Sequence, residues 1–395
     1  MTARASEPVC TLDLARLRRD RIAKLEPAMA AAGVDTLVLC GQQNVAYATG
    51  ARAPAADHVR ASWWRAVAVY ERGAPWPHLY TDFPEGAPAE FPDEYLHRAI
   101  EVEAAAGASE LAGRIGTGRI AVDDTPFPLW EALRGRELVD ASAVLGPAKL
   151  SKTADELECI RRGQALNEMA MRAVRPLAVP GAHTNELSGA FLRAVAELGA
   201  TANTVDPVFQ VMPDSVATGP YSVTGEPVFP IPTGAVTLEA GDVLWIDTGI
   251  NLHGYASDFG ATWIVGRDPD AVEQDQYARW RAVVDRALER VKPGATAAEL
   301  VEAASLADGT RPWLSYFYLA HGIGTDSAEM PFVGTDLGDA FDRSLILRPG
   351  MVLVFEPVVW DDGRAGHRSE EIVAVTDDGY RWLSARAALN GVGES

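Results

Sequence analysis

Hydrophobic and polar positions alternate with two different periods along the chain, and this predicts where helices and strands lie. Helical periodicity covers residues 12–32, and an Ala-rich stretch at 101–112 predicts another helix. Short apolar runs predict strands at 36–40, 66–70 and 120–122. Helices that alternate with strands are typical of an α/β domain. We therefore predict an α/β N-terminal domain over residues 1–148.

A break in this pattern separates the N-terminal domain from the rest of the chain. Residues 141–151 contain Gly146-Pro147 and predict a linker, because both residues interrupt regular structure. Thr153 then begins a long helical pattern, as a capping residue followed by early acidic residues. A second domain is therefore predicted over residues 149–395.

Two segments of the second domain repeat one apolar pattern. Residues 238–247 and 347–356 share Leu, Gly, Val-Leu and a terminal carboxylate at identical offsets. Upstream of them, residues 180–187 and 293–300 agree at Pro, Gly, Ala, Glu and Leu without a gap. Each half therefore predicts a helix, a Pro-Gly turn, a second helix and a strand hairpin. Such a pseudo-two-fold repeat would bring the terminal carboxylates together at one site.

Asp247 and Asp258 lie eleven residues apart in a predicted strand, tight turn and returning strand. If Asn251-Leu-His-Gly254 forms a four-residue turn, the two aspartates face each other. Like charges in directly opposed positions destabilise a hairpin, so we expect a positive group between them. The alternative is a polar turn that leaves Asp258 exposed, since turns favour such residues.

A histidine and a further carboxylate extend this candidate site. His321 follows a short apolar run and precedes Gly322 and Gly324, which allow close approach of backbone and ligand. Near several carboxylates, its neutral imidazole suits a metal ion. Glu370 and Glu371 begin an apolar strand. Adjacent strand residues point to opposite faces, so only one of these two glutamates can face the site.

Asp, Asp, His, Glu and Glu in this order, with these flanks, resemble the pita-bread metallopeptidase family, which includes methionine aminopeptidase, aminopeptidase P and prolidase. The resemblance extends from residue 151 to residue 385. It implies that two metal ions are held by Asp247, Asp258, His321, Glu356 and Glu370.

The family pattern also distinguishes between the adjacent glutamates. It reads Arg-x-Glu with a Thr six residues after the Glu, which matches Arg368, Glu370 and Thr376 and leaves Glu371 as the alternative. Residues 33–39 and 44–50 resemble the creatinase and prolidase N-terminal domain. The implied fold is α/β (α+β), with a pita-bread catalytic domain that contains a pseudo-two-fold internal repeat, preceded by a creatinase/prolidase-like α/β domain.

The resemblance implies a dinuclear-metal-dependent hydrolase that acts on an Xaa-Pro peptide or a small amide through a metal-bound hydroxide. Oxygen-rich ligands with one nitrogen suit manganese, our first choice, or iron, cobalt and zinc. Glu356 would handle the proton, as its family counterpart does. Arg368 would anchor a substrate carboxylate. A structural salt bridge to Asp361 or Asp362 is the competing role for this arginine.

Two departures from the peptidase pattern keep other functions open. Ala328 replaces the family's second histidine, and residues 221–238 contain no histidine where the family has another. We therefore expect slow Xaa-Pro cleavage. One alternative is a metal-dependent lyase of a small acid, similar to dimethylsulfoniopropionate lyase, in which Tyr316 would lie at the substrate; this tyrosine could equally be a packed core residue. The other is a catalytically silent binding module.

Composition narrows the partners and the compartment. The 395 residues carry a formal net charge of −20, which argues against binding nucleic acid or an anionic membrane. The N-terminus lacks an apolar signal region and no run is long enough to cross a bilayer, so we expect a cytoplasmic enzyme. The scattered cysteines Cys10, Cys40 and Cys159 predict reduced thiols. The family resemblance implies a small-molecule or short-peptide substrate and a homodimer.

Overall fold

The computed structural model describes residues 11–52, 65–202, 207–215, 236–314, 317–361 and 363–393. These residues divide into two compact units. One consists of Thr11–Asp155, and the other of the described residues within Glu156–Ser395. None of the described helices combines the length and the apolar character that crossing a bilayer requires.

The first unit is built on a six-stranded sheet. Its helices are α1 (Leu14–Ala32), α2 (Gln42–Thr49), α3 (Ala105–Arg114), α4 (Phe127–Ala132) and α5 (Ser142–Leu150). Its strands are β1 (Thr36–Leu39), β2 (Val67–Glu71), β3 (His78–Thr81), β4 (Leu96–Arg98), β5 (Ile120–Val122) and β6 (Leu138–Asp140). The strand order is β4-β3-β2-β1-β5-β6, with β1 antiparallel to β2 and parallel to β5.

The predicted alternation of helices and strands in the first unit is confirmed. The Asp13 side chain caps α1 by accepting hydrogen bonds from the first backbone N–H groups, and Gly33 ends the helix at a φ of 63°. Cys40 is buried directly after β1. The predicted helix at 101–112 begins later, at Ala105.

The predicted linker at residues 141–151 is wrong, because most of this segment forms helix α5 despite Pro147 in its interior. The apolar face of α5 is buried in the same core cluster as α1. The Tyr47 hydroxyl also donates a hydrogen bond to the Ala148 carbonyl, at 3.1 Å. Burial of several apolar side chains, at about 1.5–3 kcal/mol each, outweighs the roughly 3 kcal/mol that a helical proline costs.

The second unit combines helices with antiparallel strands, which include one hairpin from each half of the predicted repeat. Its helices are α6 (Ala154–Val174, whose first two residues belong to the first unit), α7 (Thr184–Glu197), α8 (Ala271–Leu288), α9 (Ala297–Ala304) and α10 (Asp339–Ser344). Its strands before α8 are β7 (Thr201–Ala202), β8 (Val208–Val211), β9 (Val243–Thr248), β10 (Ile250–Leu252), β11 (Tyr255–Ala256) and β12 (Phe259–Ile264). Those after α9 are β13 (Ala320–Gly322), β14 (Glu329–Val333), β15 (Val352–Phe355), β16 (Glu371–Val375) and β17 (Tyr380–Trp382).

These strands form sheets in the orders β11-β10-β7, β12-β9-β8 and β14-β13-β15-β16-β17. Matching hydrogen bonds confirm the predicted internal repeat. In the first half, the Gly181 N–H donates to the Leu238 carbonyl at 2.8 Å. In the second half, the Gly294 N–H donates to the Leu347 carbonyl at 2.9 Å. Each Pro-Gly turn is therefore tied to the strand that leads to a carboxylate.

The predicted register of the first hairpin is wrong by two residues. Asp247 on β9 faces Gly260 on β12 instead of Asp258. Leu252 pairs with Tyr255, so the chain reverses through His253 and Gly254 alone, which both have positive φ. Such a two-residue turn matches the twist of the strands better than the predicted four-residue turn. A shift of two residues still keeps every side chain on its original face, because side chains alternate with a period of two.

Candidate metal centre

Three carboxylates from the two halves of the repeat converge at one point. Asp247, Asp258 and Glu370 each offer an oxygen, and these atoms all lie within 4.8 Å of one another. Asp247 is on β9, Asp258 precedes β12, and Glu370 precedes β16. The Glu370 N–H donates to the Gly260 carbonyl at 3.0 Å, which joins the two hairpins at this position. Both halves therefore contribute acidic groups to one cluster.

His321 and Glu356 extend this cluster. The His321 Nε2 atom lies 3.4 Å from Asp258 Oδ2 and 3.1 Å from Glu356 Oε1. The other ring nitrogen, Nδ1, lies 2.8 Å from the Gly322 carbonyl oxygen. A proton on Nδ1 is held by that carbonyl, which leaves Nε2 for the carboxylates or for a metal ion. The structure thus brings the five residues of the predicted ligand set together.

The adjacent glutamates point to opposite sides, as strand geometry requires. Glu370 contacts the carboxylate cluster, whereas Glu371 is fully buried and forms ion pairs with Arg281 at 2.6 Å and Arg386 at 3.0 Å. The Ala387 N–H adds a hydrogen bond to Glu371 at 2.7 Å. Glu371 therefore fixes β16 to Arg281 and Arg386 on the face away from the site, while Glu370 faces the site.

Arg368 supplies positive charge to the cluster, on the side of Asp247 and the two glutamates rather than between the two aspartates, which do not face each other. Its guanidinium lies 3.1 Å from Asp247 and 2.5 Å from Glu356 and also contacts Glu370. It is 3% exposed and lies over the Trp245 ring, at 4.9 Å from the ring centroid.

The competing partner considered for Arg368 is engaged elsewhere. Asp361 forms an ion pair with Arg279 and accepts a hydrogen bond from Gln276 at 3.1 Å. Asp362 lies outside the described residues. The contacts of Arg368 therefore tie it to the carboxylate cluster.

The buried charges of the cluster shift one another's pKa in different directions. Burial raises the pKa of Asp247 to about 6 and that of Glu370 well above its usual range, although Arg368 opposes both shifts. Burial also raises the pKa of Glu356, but Arg368 and His321 outweigh it and lower this pKa to about 2. For His321, burial lowers the pKa, and Glu356 and Asp258 raise it well above its usual value. Four carboxyl groups thus share two cationic side chains, and the raised pKa values of Asp247 and Glu370 favour the protonated forms of these two groups unless a further cation is present.

The residues present fit divalent metal ions. Neither carboxylate oxygen of Glu370 has a hydrogen-bond partner among the described residues, although Arg368 lies in ionic contact with it. A buried, incompletely satisfied carboxylate is costly unless a cation completes its environment. Oxygen ligands with one imidazole and no thiolate suit manganese, iron, cobalt or zinc.

Gly260 provides the space in which these side chains meet. A Cβ atom at this position would lie 2.5 Å from Arg368 Nη1 and 2.7 Å from Glu370 Oε1. Sequence reasoning missed this glycine, because its importance depends on the true register. A signal was nevertheless present, since a glycine inside a strand often marks a close approach.

Sequence reasoning also missed the polar side chains of α6 behind the hairpin. Gln164 accepts a hydrogen bond from the Asp258 N–H at 3.2 Å, and Asn167 bonds to both Thr248 and Ser257. Both are buried. Their spacing could have revealed them, since they interrupt the apolar stripe that a buried helix face should carry.

The predictions for Tyr316 and for the segment without the family histidine concern residues that the structure does not describe. Tyr316 lies outside the described residues, as do residues 216–235, which include most of the segment that lacks the family histidine. Ala328 is described and exposed, directly before β14. The vacant histidine position is thus at the surface of the described chain.

Known proteins share the sequence pattern and the fold. A sequence profile of metallopeptidase family M24 matches residues 158–377. The probable dipeptidase PepE of Mycobacterium bovis is 28% identical over 257 residues, which span 64% of this chain and 63% of that protein. The Xaa-Pro dipeptidase of Pyrococcus furiosus is 26% identical over 254 residues, which span 63% of this chain and 67% of that protein.

A solved structure extends the likeness over nearly the whole chain. The dipeptidase PepE from Mycobacterium ulcerans superposes with a TM-score of 0.73 at 23% identity and covers 97% of this chain and 100% of that chain. This likeness confirms the predicted α/β fold, with a pita-bread domain that follows a creatinase/prolidase-like N-terminal domain.

Proposed function

The chain belongs to metallopeptidase family M24, and on this basis we propose that it is a metal-dependent hydrolase of Xaa-Pro peptides or of a small amide. The observation that carries the proposal is the convergence of five predicted ligand residues from both halves of the repeat. The names of relatives such as the Xaa-Pro dipeptidase of Pyrococcus furiosus support the Xaa-Pro substrate class. They favour a peptidase over the lyase that the sequence left open.

We propose that two divalent ions, with manganese as the first choice, are held by Asp247, Asp258, His321, Glu356 and Glu370. When bound, they would supply Lewis acidity to the scissile carbonyl and to the attacking water. The donor chemistry and the unsatisfied oxygens of Glu370 support this ligand set. A catalytically silent binding module would have no need to keep all five residues.

Glu356 is the residue we propose to accept and return the proton during hydrolysis. Despite burial, Arg368 and His321 lower its pKa to about 2, so the carboxylate is ionised at neutral pH. One of its oxygens lies 2.5 Å from Arg368 and the other 3.1 Å from His321. These contacts hold the carboxylate in one position relative to the rest of the cluster.

For Arg368 we now propose a different role from the substrate anchor that the sequence suggested. At 3% exposure, with contacts to Asp247, Glu356 and Glu370, its guanidinium is directed at the cluster. Such contacts orient carboxylates and limit their mutual repulsion. Tyr316 keeps its proposed place near the substrate.

The vacant position at Ala328 supports slow Xaa-Pro turnover. One positioned acid–base group contributes roughly 10²–10⁴-fold to rate. Its absence should lower kcat more than it weakens substrate binding, since the group acts mainly in the transition state.

A substrate panel tests the proposed reaction. The metal-free full chain is assayed with and without Mn²⁺ on Xaa-Pro dipeptides, small amides and sulfonium or betaine acids. The proposal predicts Mn²⁺-dependent hydrolysis of Xaa-Pro dipeptides, with a higher kcat in Ala328→His. Ser327→His, which places the same imidazole on the neighbouring residue, serves as the control and should not raise kcat. Fast turnover of a non-peptide acid, with Xaa-Pro cleavage equally slow in both variants, would replace the peptidase by a lyase or a specialised hydrolase.

We also propose a cytoplasmic homodimer of two-domain chains, in which the predicted boundary after residue 148 lies seven residues before the division between the compact units at Asp155. The family resemblance supports the dimer, and the acidic composition fits a protein that avoids nucleic acid and anionic membranes. Sedimentation equilibrium of the full chain measures the oligomeric state. A monomer across the micromolar range would contradict the dimer.

A further inference from the structure

One amide side chain of helix α6 connects the two segments that carry Asp247 and Asp258. Asn167 is fully buried. Its Nδ2 donates to the Thr248 carbonyl at 2.9 Å and to Ser257 Oγ at 3.1 Å. Its Oδ1 accepts from Thr248 Oγ1 at 3.1 Å. Both functional groups of this amide are therefore used on the hairpin.

The two contact residues of Asn167 are chain neighbours of the aspartates. Thr248 directly follows Asp247, and Ser257 directly precedes Asp258. The β9–β12 ladder ends at the pair Thr248–Phe259, so Asp258 lies just beyond it. The backbone N–H of Asp258 instead donates to Gln164 of α6. Hydrogen bonds from side chains of α6 therefore hold the chain in place here, whereas hydrogen bonds between strands do so elsewhere in the sheet.

We propose that Asn167 is a positioning residue that fixes the spacing of Asp247 and Asp258 and thereby sets the affinity for divalent metal ions. The inference rests on the proposed metal centre. Asparagine suits the role because one planar group carries two donors and one acceptor, whereas aspartate offers only acceptors and leucine offers neither. Hydrogen-bond partners behind metal ligands typically account for 10–100-fold in metal affinity, by fixing ligand orientation.

Titration of the metal-free full chain with Mn²⁺ in a calorimeter tests the proposal directly. Asn167→Leu keeps the approximate volume and removes all three hydrogen bonds. We expect it to lower the Mn²⁺ affinity by about 10–100-fold. Excess Mn²⁺ should restore much of kcat, because affinity rather than chemistry is impaired. A purely structural role would lower the unfolding temperature and leave the Mn²⁺ affinity of the folded protein unchanged.

Asn44→Leu is the matched control in the other unit. Asn44 donates to Asp123 at 2.7 Å and accepts from Lys149 at 2.9 Å, so this variant also removes a bonded amide. It should lower stability without changing Mn²⁺ affinity. If Asn167→Leu does not fold, Ser257→Ala removes one hydroxyl and should lower the affinity in the same direction by less.

The outcomes separate this inference from the proposed function. Wild-type protein that binds Mn²⁺, together with a folded Asn167→Leu or Ser257→Ala variant that binds it equally well, would overturn the positioning role. Wild-type protein that binds no divalent ion would overturn the metal centre itself.

Discussion

The two halves of the repeat support their carboxylates with different chemistry. When the Pro-Gly turns at Pro180 and Pro293 are aligned, Asn167 of α6 corresponds to Trp280 of α8. Asn167 hydrogen-bonds to Ser257, whereas Trp280 packs against His367 with ring centroids 5.6 Å apart. At this aligned position the first half thus contacts its hairpin through directional hydrogen bonds, and the second half through aromatic packing.

The same contrast appears at the site. In the first hairpin Asp247 faces Gly260, and in the second the same register places Glu356 opposite Glu370. A side chain at Gly260 would occupy the space in which Glu370 and Arg368 lie. Gly260 and Glu370 are therefore equivalent positions of the two hairpins, but only one of them can carry a long side chain, because the space between the hairpins holds only one.

Removal of Asp258, a proposed ligand residue of the first half, should have the largest effect on activity. We expect Asp258→Ala to abolish Mn²⁺-dependent Xaa-Pro hydrolysis, because it removes a proposed ligand and leaves the other carboxylates repelling one another. Initial rates at saturating Mn²⁺ measure this effect. Asp268→Ala, at an exposed position, should keep wild-type rates. Activity of Asp258→Ala within tenfold of wild type would contradict the assignment.

A side chain at Gly260, the position equivalent to Glu370, should have the next largest effect. Gly260→Ala places a Cβ against Arg368 and Glu370, and overpacking of this kind costs about 1–3 kcal/mol. We expect lower unfolding free energy in urea and weaker Mn²⁺ binding. Gly189→Ala is the control, since a Cβ there meets nothing within 4 Å, and helix propensity predicts a gain of up to about 1 kcal/mol. Equal Mn²⁺ affinity for Gly260→Ala and wild type would show that the space is not needed.

His367, which packs against Trp280 in the second half, should make the stability of the chain depend on pH. Burial, assisted by Arg281, lowers the pKa of His367 from 6.5 to about 3. The unfolded chain takes up a proton near pH 6.5 and the folded chain does not, so stability falls as the pH drops from about 6.5 towards 3. Between pH 7 and pH 5 this amounts to about 2 kcal/mol. The unfolding free energy in urea is measured at pH 7 and at pH 5 for metal-free wild type and His367→Phe. Between these two pH values it should fall by about 2 kcal/mol less in His367→Phe than in wild type. An equal fall in both would refute the buried neutral histidine.

Much of the site could be predicted because its signals are local in the sequence. The repeat appeared as identical offsets, and the aspartates stayed on one face because the register error was an even number of residues. The turn could not be predicted, since it places His253, a non-glycine residue, at a φ of 55°. The helix at 142–150 also escaped prediction, because tertiary burial there overrides the Gly-Pro signal. Gly260 and Asn167 acquire meaning only from contacts between segments distant in sequence.

The central claim is that both halves build one centre for two metal ions, and metal stoichiometry tests it most directly. The full chain is stripped of metal, loaded with Mn²⁺, passed through a desalting column and subjected to elemental analysis. We predict two ions per chain in wild type and at most one in Asp258→Ala and in Glu370→Gln, which alter one half each. Two retained ions in either variant, or none in wild type, would contradict a centre shared by the two halves.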